Sequence, residues 1–427
     1  MTLQSTRAAS SPLIVVGPSA GYCAVVKSLR AALTGGGLVA AGMMGMNIAV
    51  YGFNVVAARL LVPRDFGALT ALFGIILVGT VWALGLQAVT ARRIAVDHDN
   101  RSAIISATVR TTLLVATTVG TVVAVSTVVL TPALKLDSYL PVVLCGLALV
   151  PLTIMGAQCG IAQGQEQWGS LTAVYLANGF GRLIGGAAGL LVSATPTAAM
   201  VGLAIGSWLP VLVGARLLVG HGDVGERLSR RSLLREAVFS THALLAYLVL
   251  SNMDSLIARN QFDQHDSGLY ASGLILAKAA LFFPQFVSVV VFPNLARATT
   301  HHARLRAVTL VAGFGVLAVA ATAALPRVAL ILVGGEQYSE ITGRLWLFAL
   351  AGSTLAVVHL LVFEALARNA HGVVVLVWCA VVAVLASAYG IGVGITGLAL
   401  TMAGVAVVLA TAVYVVPMRS REPVSAS

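Results

Sequence analysis

Three ionisable side chains sit deep inside long apolar runs: Arg182, Asp254 and Lys278. A charge at the centre of a bilayer costs roughly 2.5–3.5 kcal/mol on insertion scales, so such a residue faces a partner or a wet path, not acyl chains. Lys278 is too deep to reach an interface. It either meets an anion in a cavity or pairs with Asp254. Gln285 shares its helical face and offers an amide to a hydroxyl-rich ligand or to a neighbouring helix. Arg182 has Asn178 one turn earlier on the same face. Its guanidinium can grip phosphate oxygens in bidentate fashion or bond the carbonyls of a packed helix. Asp254 lies about 7–8 Å deeper than Arg259 along a helix axis. It either binds a proton or cation, as an ion-coupling group, or pairs with Arg259 or Lys278. Asn54 holds the matching place earlier in the chain. Arg59 and Arg259 end their apolar runs, where they flank a cavity mouth or snorkel to the interface.

Other chemistry has little support. Cys23, Cys145, Cys159 and Cys379 form no CxxC pair and no Cys/His cluster, so they read as small apolar residues, with no metal site and no disulfide. Gly392, Gly394 and Gly397 fit GxGxxG but lack the preceding strand and the following acidic residue of a dinucleotide site. His301-His302 has no partner at metal-ligand spacing, and there is no Walker A sequence. Neither a catalytic group nor a cofactor is expected, and the chain does not read as an enzyme.

The elements that must hold these groups follow from composition. Of 427 residues, 59% are hydrophobic and 10% charged, against roughly 25% charged in soluble domains. Apolar runs of about twenty residues fit helices crossing ~30 Å of hydrocarbon, and only helices or closed barrels satisfy every backbone group there. The expected fold is all-α, a polytopic membrane protein of about twelve transmembrane helices. Among the expected spans, the first is Leu38 to Ala58, the second Gly67 to Thr90, the fifth Ser170 to Val192, the seventh Ala237 to Ala258 and the eighth Ser267 to Val291. The last two are separated only by an uncharged turn, Gly390 to Gly397. Within the fifth, Gly181, Gly185 and Gly189 give GxxxG spacing, so one face packs closely on a neighbour.

The net charge of +11 reads as loop bias, not as nucleic-acid binding. With the amino terminus inside, the inner segments carry 17 Lys and Arg and the outer ones 6, which places both termini in the cytoplasm. The expected parts are a cytoplasmic tail over 1–36, a six-helix bundle over 37–219, a cytoplasmic hinge over 220–236, a second six-helix bundle over 237–417 and a tail over 418–427. An internal repeat supports that division. Asn54 to Arg59 aligns with Asp254 to Arg259, Gly67 with Gly268, and Ala91-Arg92 with Ala296-Arg297. An even number of spans per unit makes the repeats parallel, related by an axis along the membrane normal.

Two segments carry a family resemblance: Ala58 to Leu72 (ARLLVPRDFGALTAL), and Ser251 to Ala298 with its progression Asp254-x-x-x-Ala258-Arg259, Gly268-x-Tyr270-x-x-Gly273 and Phe292-Pro293-x-x-Ala296-Arg297. With the span number, loop sizes and repeat, the chain resembles the Wzx-type polysaccharide flippases of the multidrug/oligosaccharidyl-lipid/polysaccharide exporter superfamily. The resemblance implies two six-helix bundles around a central cavity, alternating access, and a polyprenyl-pyrophosphate-linked oligosaccharide as cargo, moved for envelope polysaccharide synthesis in a bacterial inner membrane. Membrane lipids and a polymerase or glycosyltransferase are the implied partners. In that setting Lys278, Arg182, Asn178, Gln285, Arg59, Arg259 and Asn54 are the candidate cargo contacts, with Asp254 for ion coupling. The rival readings are an ion-driven exporter of small molecules or drugs and a non-transporting scaffold of an envelope synthase complex.

Overall fold

In the computed structural model, residues 18–97, 99–219, 241–242, 244–295, 301–367 and 372–415 are described; side chains are described within these limits except over 18–34, 283–295, 301–303, 366–367 and at 391. The hinge at 220–236 and the tail at 418–427 fall outside the described residues. The described chain is helical throughout, with no strand among the described residues. The first half runs α1 (Pro18–Leu60), α2 (Pro63–Gly79), α3 (Val81–Val96), α4 (Arg101–Val125), α5 (Thr127–Ala133), α6 (Leu140–Gly164), α7 (Trp168–Val192), α8 (Pro196–Gly206) and α9 (Leu209–Val213). The second runs α10 (Met253–Gln261), α11 (Gln264–Leu295), α12 (His301–Ala324), α13 (Pro326–Val333), α14 (Leu345–Ala367), α15 (Gly372–Ile391) and α16 (Ile395–Val415), with a 3-10 helix over Glu336–Arg344.

Nine helical stretches among the described residues are long and apolar enough to cross a bilayer. Helix α7, helix α11 and the helical path from 244 through α10 supply the other three passages expected from the sequence. The expected tail is partly helical, since α1 begins at Pro18 and not near Leu38. Spans two and seven are not single rods. Thr80 divides the second, its hydroxyl donating to Leu77 O at 2.7 Å. The seventh breaks at Ser251-Asn252, where Asn252 adopts φ −131°, ψ −8°. A hydroxyl or amide that satisfies backbone groups locally makes such breaks tolerable inside hydrocarbon. The uncharged turn between α15 and α16 is set by Gly392, whose φ of +68° favours glycine.

Helix α7 lies antiparallel to α8 at a seam of small residues. Gly181 faces Gly206, Gly185 faces Gly202 and Gly189 faces Ala198, and a Cβ on any of these glycines would strike the carbonyl opposite. This is the close face that the GxxxG spacing predicts. Helix α7 also packs on α1, and α3 and α4 pack on α6. In the second half α14 packs on α11, α12 and α16. The halves meet through α2 against α10 and α11, and α1 against α11. Gly67 and Gly268, the glycines the repeat aligns, come face to face: a Cβ on Gly67 would lie 2.9 Å from Gly268 N.

Candidate functional site

The break in the seventh passage builds the first part of the site. Opening a helix leaves carbonyls without partners, and here a lysine from the neighbouring helix takes one. Lys278 Nζ, on α11, donates to Ser251 O at 2.5 Å and to Asn252 Oδ1 at 2.9 Å. The Asn252 amide is held in turn by Leu248 O at 2.8 Å. Asp254 stands in the first turn of α10, where the helix dipole favours a negative charge. It is 5% exposed. One of its oxygens accepts from Ser255 N at 2.8 Å, the other from the Tyr270 hydroxyl at 3.4 Å. Lys278 therefore bonds the broken backbone, and Asp254 bonds its own helix end and Tyr270. The direct Lys278–Asp254 ion pair offered by the sequence is not formed.

Arg182, on α7, is placed differently. Its guanidinium lies 4.2 Å from the Phe73 ring centroid and 5.9 Å from that of Phe53. Both rings are buried, and they meet edge to face at 5.7 Å. Among the described residues Arg182 makes no hydrogen bond, and its Nε is buried without a partner. Asn178, one turn earlier on α7, has its amide 3.5 Å from Met46 Sδ on α1. Asn54 is half-buried on α1. The side chain of Gln285 lies outside the described residues.

Helix α2 ties the two cations together. Phe73 carries Arg182, and the next residue, Gly74, packs on the break: a Cβ there would lie 2.9 Å from Ser255 Oγ and 3.5 Å from Asn252 O. Arg182 and the Lys278 cluster thus stand at one level of α2. Both cations are half-buried.

Arg59 and Arg259 belong to another place, the end where the halves are joined. Arg259 is 2% exposed. It donates to Leu134 O at 2.8 Å, Arg64 O at 3.0 Å, Lys135 O at 3.0 Å and Ser267 Oγ at 3.1 Å. It neither snorkels nor faces a mouth in this conformation; it is a strut between halves. Arg59 is exposed and makes one bond, to Ile331 O at 3.2 Å. Around them Tyr338 OH donates to Ala58 O at 3.0 Å, Gln337 Nε2 donates to the same carbonyl, Lys135 Nζ to Phe262 O at 2.8 Å and Asn260 Nδ2 to Ala133 O at 2.8 Å.

Sequence reasoning singled out both cations and Asp254 but not their settings. The polar pair Ser251-Asn252 directly before Asp254 was the available signal for the break. The polar run Glu336 to Arg344 before an apolar span was the signal for the joint. Nothing in the spacing of Phe53 and Phe73 marks them as the bed of Arg182.

No protein-family model matches the sequence, and no curated protein matches it. The fold is nevertheless found among solved structures. An inward-facing multidrug resistance transporter of the MATE family, in the MOP superfamily, aligns over 86% of this chain and 93% of its own at 12% identity, with a TM-score of 0.66. The lipid II flippase MurJ, in an inward closed conformation, aligns over 88% of this chain and 86% of its own at 11% identity, TM-score 0.73. A eukaryotic MATE transporter aligns over 91% and 96% at 13% identity, TM-score 0.58. The chain thus has the fold of these transporters and is a multi-pass membrane protein.

Proposed function

We propose that this protein is a flippase that moves a polyprenyl-pyrophosphate-linked oligosaccharide across a bacterial inner membrane by alternating access, serving envelope polysaccharide synthesis and working beside a polymerase or glycosyltransferase. The observation that carries the reading is Arg182, a guanidinium at the level of the Lys278 cluster that has aromatic rings beneath it and no hydrogen-bond acceptor among the described residues. A planar donor fork kept free of acceptors suits the oxygens of a phosphate group. Lys278 and Asn252 line the same level from the second half, and Asn178 and Asn54 supply amides for sugar hydroxyls. The charge bias of the loops puts both termini in the cytoplasm, so the joined end is the extracytoplasmic one and the cations face inward. The chain itself makes and breaks no bond.

The flippase named among the neighbours is a lipid II flippase, and a lipid cargo agrees in kind with the one proposed. A second reading, an ion-driven exporter of drugs, draws on the MATE neighbours and on Asp254 beside Tyr270. The deciding experiment uses purified protein in liposomes. Translocation of a labelled polyprenyl-pyrophosphate sugar, lost in Arg182→Met, is expected. Efflux of an organic cation that persists in Arg182→Met and stops in Asp254→Asn would replace the flippase reading with the exporter one.

A further inference from the structure

Arg182 is half-buried, and no acceptor among the described residues holds it. An arginine left to itself samples many rotamers, and a ligand that needs one of them must stop the others. What fixes the guanidinium therefore decides how well it receives an anion. A carboxylate or a carbonyl fixes it by consuming its N–H groups. An aromatic face fixes it through its charge and leaves the N–H groups unspent. This chain uses the aromatic face: Arg182 Cζ stands over the Phe73 ring, 4.2 Å from the centroid. Of its three nitrogens only Nε is buried without a partner. Nη1 and Nη2, which form no hydrogen bond among the described residues, are the open side of the fork.

The rings are set by packing that does not involve the arginine. Phe53 is 0% exposed and Phe73 5%, and they meet edge to face with their planes 60° apart. Phe53, from α1, lies against Gly186 of α7, where a Cβ would strike its ring. Gly186 follows Arg182 by one turn on the same helical face, so α7 itself makes the room for the ring beside its own arginine. Phe73 is anchored through its neighbour Gly74, which packs on Ser255 and Asn252 of the second half. Phe53 thus props Phe73 from α1, while α2 is held from the other side. The bed is enclosed by three helices, and the cation on it is tied to none of them by a hydrogen bond among the described residues.

We infer that Phe73 is a positioning residue for the anion contact of Arg182, with Phe53 as its prop. The ring holds the guanidinium in one place while Nη1 and Nη2 stay available to two oxygens of a phosphate group. The inference rests on the reading of Arg182 given above and deepens it: affinity for the anion depends on a side chain that carries no charge and acts only through the arginine.

The test is equilibrium binding of farnesyl pyrophosphate to the full chain in phosphatidylcholine nanodiscs, run as a double-variant cycle over positions 73 and 182. Arg182→Met weakens binding about tenfold or more, and Phe73→Leu about fivefold or more. In the Arg182→Met background, Phe73→Leu changes affinity by less than about twofold, because the ring has no guanidinium left to hold. Phe73→Tyr, which keeps the ring face, recovers most of the affinity that Phe73→Leu loses. A ring with a purely structural role would weaken binding by the same factor in both backgrounds. That result overturns the inference, as does Phe73→Leu binding like wild type, or wild-type protein without saturable binding. If Phe73→Leu does not keep the wild-type melting temperature, Phe73→Met takes its place in the same cycle. Transport is measured separately in liposomes. A protein that completes the cycle as expected but moves no labelled polyprenyl-pyrophosphate sugar rejects the proposed function and leaves the positioning role of Phe73 in place.

Discussion

In the first half, the central cation Arg182 rests on the Phe73 ring and makes no hydrogen bond among the described residues. In the second, the central cation Lys278 spends two donors on the opened helix at Ser251-Asn252. The repeat-equivalent positions differ in the same sense. Asn54 is half-buried where Asp254 is enclosed with Tyr270, and Arg59 is exposed with one bond where Arg259 is enclosed with four. The two residue types explain the division. A guanidinium is delocalised and weakly hydrated, so it can lie on aromatic faces without acceptors; an ammonium is a compact charge that must be solvated by something. The second half uses its polar groups to hold itself and the joint together, and the first half keeps its cation uncommitted. In the function proposed above, the second half is the holding half and the first half the receiving half.

The most severe way to break that division is Arg259→Ala. Three first-half carbonyls and a hydroxyl lose their donor inside protein, and an unsatisfied buried group costs about 1–3 kcal/mol. The expected destabilisation is about 3–5 kcal/mol, read as a lower melting temperature in detergent. It should come with faster cysteine labelling across the joint, at Ala58→Cys for example. A melting temperature within a degree of wild type would mean that the joint is held by apolar packing alone.

Lys278→Met comes next. It keeps the length and removes the charge, leaving Ser251 O and Asn252 without their donor, at about 2–3 kcal/mol. Stability and translocation should fall together. Arg182→Met should separate the two. Its loss costs only a cation–π contact, about 0.5–2 kcal/mol, so the protein should remain folded while translocation of an anionic cargo drops about tenfold or more. If Lys278→Met were the one to spare stability, the assignment of holding and receiving halves would be reversed.

The sequence made the scaffold readable because hydrocarbon admits so few solutions. Run length needed no tertiary information, and the apolar helices it called for are present among the described residues. The GxxxG seam was readable because glycine spacing is a packing signal. The broken passages were not: Thr80 and Ser251-Asn252 leave mean apolarity unchanged, and their effect lies in which carbonyl a side chain or a lysine from another helix satisfies. The roles of Arg59 and Arg259 were hidden for the same reason. Both end an apolar run with Ala-Arg, and what separates them is contributed by residues far away in the chain, Leu134, Lys135 and Arg64 on one side and Ile331 on the other.

That pair also gives the finest test of the division between halves. Arg59→Ala removes one 3.2 Å bond from an exposed side chain. Water replaces the lost donor at Ile331 O, so the expected change is within about 0.5 kcal/mol. Adding Arg59→Ala to Arg259→Ala should then change stability by no more than the sum of the two. Both residues serve the same joint, but they share no acceptor, and sites without shared partners add. A double variant much less stable than that sum would show that the exposed arginine takes over when the buried one is gone. The two repeats would then be interchangeable at the joint, and the division of labour between the halves would be confined to the central cations.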